Sequence, residues 1–183
     1  MNTNKDIEIR PQEGFQMSFA SSNVDVVFGG GNLGGGKSYG LVLAMAEPLM
    51  TDPDFRAMIS RRSLGNQKAG GGFVEKFKQI FGADFVKIRE SENPRVTFPN
   101  GTFVDLTYLD DSNMDKLRER AKGWEYDLIA IDELTEMTWE VFSYVMTRNR
   151  GQSKTFTGKF FATLNPKRSH WTRIFLEIGR AHV

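Results

Sequence analysis

Residues 31–38 read Gly-Asn-Leu-Gly-Gly-Gly-Lys-Ser, and this octet constrains the chain more than any other feature. It fits the spacing G-x-x-x-x-G-K-[ST] and follows Asn23 to Gly29 (NVDVVFG), an apolar run that reads as a buried strand. Glycines let backbone N–H groups approach an anion closely, and a helix beginning at Lys37 adds the positive end of its dipole. The octet therefore predicts a strand–loop–helix unit that holds the phosphates of a nucleotide. Gly31, Asn32, Leu33, Gly34, Gly35 and Gly36 supply the loop. Lys37 reaches the β- and γ-phosphates, and Ser38 places its hydroxyl on Mg²⁺. The plainer alternative, a flexible glycine linker, does not account for the flanking strand and helix.

Apolar runs alternate with helical spacing along the rest of the chain, the pattern of a mainly parallel α/β sheet. The helix from Lys37 extends to Met50 and stops near Thr51-Asp52-Pro53. Strands are predicted at Phe55–Ser60, Tyr126–Ile131 and Lys159–Thr163. Phe73–Phe81, Ser112–Lys122, Glu140–Thr147 and His170–Leu176 have helical patterns. Arg95–Phe98 and Thr102–Tyr108 flank Pro99-Asn100-Gly101, a strong hairpin signal. No internal repeat or long linker divides the chain. The fold class is a three-layer α/β P-loop domain with a central mainly parallel sheet.

Asp132 and Glu133 end the run Leu-Ile-Ala-Ile. A carboxylate at the C-terminal edge of a parallel sheet faces the crevice where such folds bind ligands. Asp132 is placed on Mg²⁺, through its water shell, and Glu133 on the water that attacks the γ-phosphate. Alone, the pair is equally a solvated strand end; beside the phosphate loop it reads as hydrolysis. The long separation from Ser38 leaves room for at least one strand between the two motif strands, the additional-strand ATPase arrangement.

Composition narrows the remaining classes. The 183 residues are 39% hydrophobic and 26% charged, as in a soluble globular domain, with a net charge of only +1. Any nucleic-acid contact must come from local patches. The absence of cysteine excludes disulfides and thiolate metal sites and fits a reducing interior. The start, MNTNKDIEIRPQEG, lacks the apolar run of a signal peptide, and no stretch approaches the ~20 apolar residues of a membrane span. The last residues, Glu177 to Val183 (EIGRAHV), match a translated sequencing adapter. They are set aside as read-through, leaving residues 1–176 as the domain.

From Gln12 to Trp171 the chain resembles the ATPase domain of phage terminase large subunits. The features come in order: PQEGFQMSF, VVFGGGNLGGGKSYG, FRAMISRR, WEYDLIAIDELTEMTWEVFSYVMTRNR and FFATLNPKRSHW. The resemblance implies an ATP-driven motor that moves double-stranded DNA into a procapsid. It implies a ring of subunits working with a portal protein and a small terminase subunit in the host cytoplasm, with no membrane. It also implies that Gln16 recognises adenine and that Thr163 and Asn165 couple hydrolysis to motion. The family's usual second domain is a metal-dependent nuclease, whose acidic cluster these residues do not supply. Many relatives carry an arginine inside the phosphate loop, where this chain has Asn32 and Leu33. An arginine finger is therefore expected from elsewhere, with Arg120 first and Arg118 second, reaching a neighbouring subunit.

Several signals have ordinary alternatives. Arg61 and Arg62 face DNA, nucleotide or solvent. Lys116, Arg118, Arg120 and Lys122 also suit helix-surface salt bridges, for example through Glu119. Arg148, Arg150, Lys154 and Lys159 form a basic stretch able to track phosphates. His170 and Trp171 suit packing better than catalysis. Two rival functions remain: another nucleic-acid motor, such as a helicase or recombinase core, and a non-hydrolysing nucleotide-dependent assembly module.

Overall fold

The strand Leu128–Ile131 is buried at every residue, and its side chains divide between two cores. Leu128 and Ala130 join one cluster with Leu41, Phe73, Phe77 and Phe161. Ile129 and Ile131 join another with Leu117, Val141, Phe142 and Phe160. A strand apolar on both faces must be covered on both, which makes a helix–sheet–helix sandwich. The computed structural model describes residues 10–30, 36–62, 72–90, 94–156, 158–165, 167 and 169–174.

Among these residues the strands are β1 (Val26–Gly30), β2 (Arg56–Arg61), β3 (Lys87–Arg89), β4 (Arg95–Thr97), β5 (Phe103–Tyr108), β6 (Leu128–Ile131) and β7 (Lys159–Leu164). They form one sheet in the order β1-β7-β6-β2-β5-β4-β3. The five from β1 to β5 pair in parallel, and β4 and β3 are antiparallel additions. The strand inserted between β1 and β6 is β7, from the end of the chain. The separation between the motifs thus does not itself provide the intervening strand; the segment after the acidic pair does.

The helices are α1 (Phe15–Ala20), α2 (Lys37–Ala44), α3 (Ala46–Thr51), α4 (Phe73–Phe81), α5 (Met114–Arg120) and α6 (Trp139–Met146). The single helix expected over Lys37–Met50 is broken at Met45. Pro48 explains the break, since it lacks an N–H and its ring would clash with the carbonyl four residues earlier. Asn113 and Thr138 cap α5 and α6 with their side-chain oxygens. The Asn-Gly signal is realised between β4 and β5, where Phe98 and Thr102 bond across the turn and Gly101 has φ 91°.

The short helix α1 and strand β3 carry no sequence signal long enough to predict them. Phe15 and Phe19 of α1 stack at 5.0 Å over Gly29 and Gly40. A Cβ on Gly29 would lie 2.4 Å from the Phe15 ring, so this glycine makes room for α1. No helix among the described residues is long and apolar enough to cross a membrane. The tail from 177 to 183 and the helix expected to run to Leu176 extend outside the described residues.

Candidate nucleotide and metal site

Parallel pairing brings the C-terminal ends of β1, β7, β6 and β2 to one edge, and the chain's motif residues meet there. Gly31, Asn32, Leu33, Gly34 and Gly35 lie outside the described residues. Gly36, Lys37 and Ser38 are described, and Gly36 has φ 65° at the N-terminus of α2. The left-handed φ favours glycine, and a Cβ there would sit 2.1 Å from Nε2 of Gln16 and push that amide aside.

Ser38 Oγ donates to Asp132 Oδ2 at 2.8 Å. Asp132 is 2% exposed and its other oxygen accepts the hydroxyl of Thr163, which is fully buried. The same Thr163 oxygen accepts the Glu133 N–H at 3.0 Å. One hydroxyl of β7 thus fixes both members of the acidic pair. Glu133 has φ 60°, and it is the one non-glycine residue with positive φ among those described. Such a conformation costs roughly 1–3 kcal/mol and persists where the surroundings impose it. Lys37 Nζ donates to Asn165 Oδ1 at 2.7 Å, linking the phosphate-loop lysine to the residue just past β7.

Gln16 is buried, accepting the Gln12 N–H at 3.0 Å and donating to the Gly36 carbonyl at 3.4 Å. It is therefore fastened to the phosphate loop rather than exposed. The donor set at the sheet edge, a serine hydroxyl 2.8 Å from a carboxylate, suits a hard divalent ion. No group of three or more His, Cys, Asp or Glu able to hold a metal occurs among the described residues, so a protein-only cage is not what these residues build. Two oxygens fit Mg²⁺, which keeps waters and phosphate oxygens as its other ligands.

The two arginines after β2 diverge. Arg62 is exposed and pairs with Asp111 at 3.3 Å and Glu136 at 3.7 Å. Arg61 turns inward: Nε and Nη2 donate to Asp132 Oδ2 at 2.7 and 2.5 Å, and Nη2 reaches Ser38 Oγ at 3.2 Å. Its guanidinium lies 5.0 Å from the centre of the Phe73 ring. Lys76, one turn along α4, has its ammonium pKa lowered by burial and by the Arg61 charge, with Asp132 opposing. The sequence left Arg61 open between DNA, nucleotide and solvent, and it carried no signal for Lys76. Strand register sets Arg61 there: Asp132 N–H bonds the Ser60 carbonyl, so the next residue of β2 borders Asp132.

The expected arginine finger sits away from this cluster. Arg120 donates to the Tyr108 carbonyl and lies 4.0 Å over the Tyr108 ring, beside a cavity of about 430 Å³ that Arg56, Arg89 and Arg95 also line. Arg118 pairs with Asp115 at 3.2 Å and Glu140 at 3.0 Å, and Lys122 with Glu119 at 3.8 Å, the surface bridges weighed above. Lys159 pairs with Asp25 at 3.0 Å at the opposite edge of the sheet, and Arg148 stacks on Tyr144. His170 and Trp171 both bond the Met137 carbonyl, and Trp171 packs on Trp139 and Phe142, as structural residues do.

The family described as "Terminase large subunit, T4likevirus-type, N-terminal" matches residues 28–177. No curated protein matches the chain. The large terminase of the thermophilic bacteriophage D6E superposes with a TM-score of 0.71 at 13% identity, over 94% of this chain and 44% of its own. It has also been solved in complex with ADP. The large terminase ATPase domain of Thermus phage P74-26 gives 0.61 at 14% identity, over 92% of this chain and 74% of its own. The N-terminal domain of the bacteriophage phi29 DNA packaging ATPase gives 0.57 at 11%, over 84% and 79%. These likenesses establish the P-loop fold, and the chain spans less than half of the D6E protein.

Proposed function

The chain belongs to the N-terminal family of T4likevirus-type terminase large subunits, and from that premise we propose that it is a Mg²⁺-dependent ATPase whose turnover drives double-stranded DNA into a viral procapsid. The observation that carries this reading is the 2.8 Å bond between Ser38 and Asp132, which joins the phosphate-loop helix to the acidic strand end. A solvated strand end has no reason to seek a phosphate-loop hydroxyl. The ADP complex of the D6E terminase supports the choice of an adenine nucleotide.

Each residue then has a task its position allows. Lys37, on the first turn of α2, binds the β- and γ-phosphates and exchanges its Asn165 bond for them. Ser38 and Asp132 hold Mg²⁺, which supplies neutralisation of phosphoryl charge when bound. Glu133 orients or deprotonates the attacking water, its backbone held in place by Thr163. Thr163 and Asn165 sense the γ-phosphate, because one holds the acidic pair and the other the lysine. Gln16, fixed at Gly36, lies beside the loop where adenine recognition is expected. The partners in this reading are duplex DNA, a portal protein, a small terminase subunit and further copies in a ring, in the host cytoplasm.

Phosphate release from ATP by the purified chain, with Mg²⁺ and with chelator, tests the reading together with Lys37→Ala. Turnover should require Mg²⁺ and vanish in the variant. Near-normal turnover by Lys37→Ala would remove the site assignment.

A further inference from the structure

Arg61 uses the same two oxygens that the reading above assigns to the metal. Its Nη2 approaches Ser38 Oγ at 3.2 Å, and Nε with Nη2 doubly engage Asp132 Oδ2. Asp132 is 2% exposed, and a carboxylate that buried requires hydrogen bonds or a cation. Ser38 and Thr163 supply the hydrogen bonds, and Arg61 supplies the charge. The arginine is itself held in place: its side chain is only 16% exposed and packs against the buried Phe73 ring. Its backbone is the end of β2, one residue beyond the Ser60–Ile131 pairing.

We propose that Arg61 is an internal cation that competes with the divalent ion for Asp132 and Ser38, so that metal loading requires its guanidinium to leave them. This inference rests on the ATPase reading and names a positioning residue within that site. The geometry gives the reason for competition. The guanidinium takes one of the two lone pairs of Ser38 Oγ at 3.2 Å, and Asp132 Oδ2 already accepts three donors. That carboxylate oxygen has no lone pair left for a metal or a metal-bound water while the guanidinium stays. Arg62, exposed and paired with Asp111 and Glu136, has the same charge without the contact and serves as the control.

The experiment titrates Mn²⁺, followed by electron paramagnetic resonance, into the protein saturated with ADP. Wild type, Arg61→Gln, Arg61→Lys and Arg62→Gln are compared, alongside ADP binding without metal. Removing charged hydrogen bonds from the competing side should tighten Mn²⁺ binding by about tenfold in Arg61→Gln. Arg61→Lys, which keeps the charge but loses the fork, should tighten it less, and Arg62→Gln should match wild type. In thermal melts without metal, Arg61→Gln should unfold at lower temperature, and added Mg²⁺ should recover more stability than in wild type. Unchanged or weaker Mn²⁺ binding in Arg61→Gln with ADP still bound would overturn the proposal, as would equal tightening by Arg62→Gln. If Arg61→Gln does not fold, unchanged Mn²⁺ affinity in Arg61→Lys overturns it instead. Failure of the wild type to bind ADP at all would sink the ATPase reading, and this inference with it.

Discussion

Lys37 donates a 2.7 Å hydrogen bond to Asn165, although 128 residues separate them in the chain. The bond spans from the first residue of α2 to the residue just after β7, which is the neighbour of β1 in the sheet. In the proposed site, exchanging this amide for a phosphate would report nucleotide occupancy to the segment after β7.

Asn165→Ala should therefore leave ADP and ATP affinity within a few-fold of wild type while lowering DNA-stimulated turnover. The lost interaction is a hydrogen bond to a charged group, worth about 1.5–3 kcal/mol when formed. Calorimetric titration with nucleotide and a phosphate-release assay with duplex DNA separate the two effects. Loss of nucleotide binding instead would make Asn165 part of the binding pocket rather than the relay.

Glu133 combines a proposed catalytic carboxylate with a left-handed backbone, φ 60°. Asparagine and glycine adopt that conformation more readily than glutamate. Glu133→Gly should raise the unfolding free energy by up to about 1 kcal/mol while abolishing hydrolysis. Glu133→Gln should bind ATP normally and not turn it over, because the amide keeps the shape but cannot take a proton. A folded Glu133→Gly variant with lower stability than wild type would show that side-chain contacts, not backbone strain, dominate at this position.

Much of this was legible before any coordinates. The helix starting at Lys37, the strand ending at Ile131 and the Asn-Gly turn each have a local physical cause, so each read correctly. The helix break at Met45 was present in Pro48 but masked by continuous apolar spacing. Helix α1 was not legible because its stability comes from Phe15 and Phe19 resting on glycines elsewhere in the chain. The role of Arg61 required register: only the alignment of β2 with β6 sets it against Asp132. Contacts between distant segments are a property of sheet order, and sequence spacing does not carry that order.

Asp127 is fully buried at the opposite end of β6, where its two oxygens accept the N–H groups of Arg56 and Ser153, both at 2.8 Å. A Cβ on Gly151 would lie 1.9 Å from this carboxylate, which keeps the loop before Ser153 close. Asparagine would present a donor to one of two donors. Asp127→Asn should cost about 2–3 kcal/mol in chemical denaturation, while nucleotide affinity of the folded fraction stays unchanged. A near-neutral result would mean that the loop from Gly151 to Ser153 can turn its N–H to other acceptors.

Arg120 is the residue expected to serve as a finger to a neighbouring nucleotide, because the helix before the acidic strand can project from a subunit edge. In its own subunit Arg120 bonds the Tyr108 carbonyl and stacks on that ring at 4.0 Å, and its Nε is buried with no hydrogen-bond partner. Serving a neighbour means exchanging these neutral partners for phosphate oxygens, and charge-assisted bonds to phosphate are the stronger. The isolated chain should then be a slow ATPase whose specific activity rises as subunits assemble, an added arginine being worth about 10³–10⁵ in rate. Mixing separates the two roles. Arg120→Ala lacks the finger and Glu133→Gln lacks the base, so each alone should be inactive in the ring. In mixed rings, an Arg120→Ala subunit with its intact Glu133 can receive Arg120 from a Glu133→Gln neighbour, and turnover should return. Thermal melts of isolated Arg120→Ala report its packing on Tyr108 separately, with an expected loss of about 1–2 kcal/mol. A destabilised variant with no recovery at any mixing ratio, in rings that exchange subunits, would confine Arg120 to holding the end of β5.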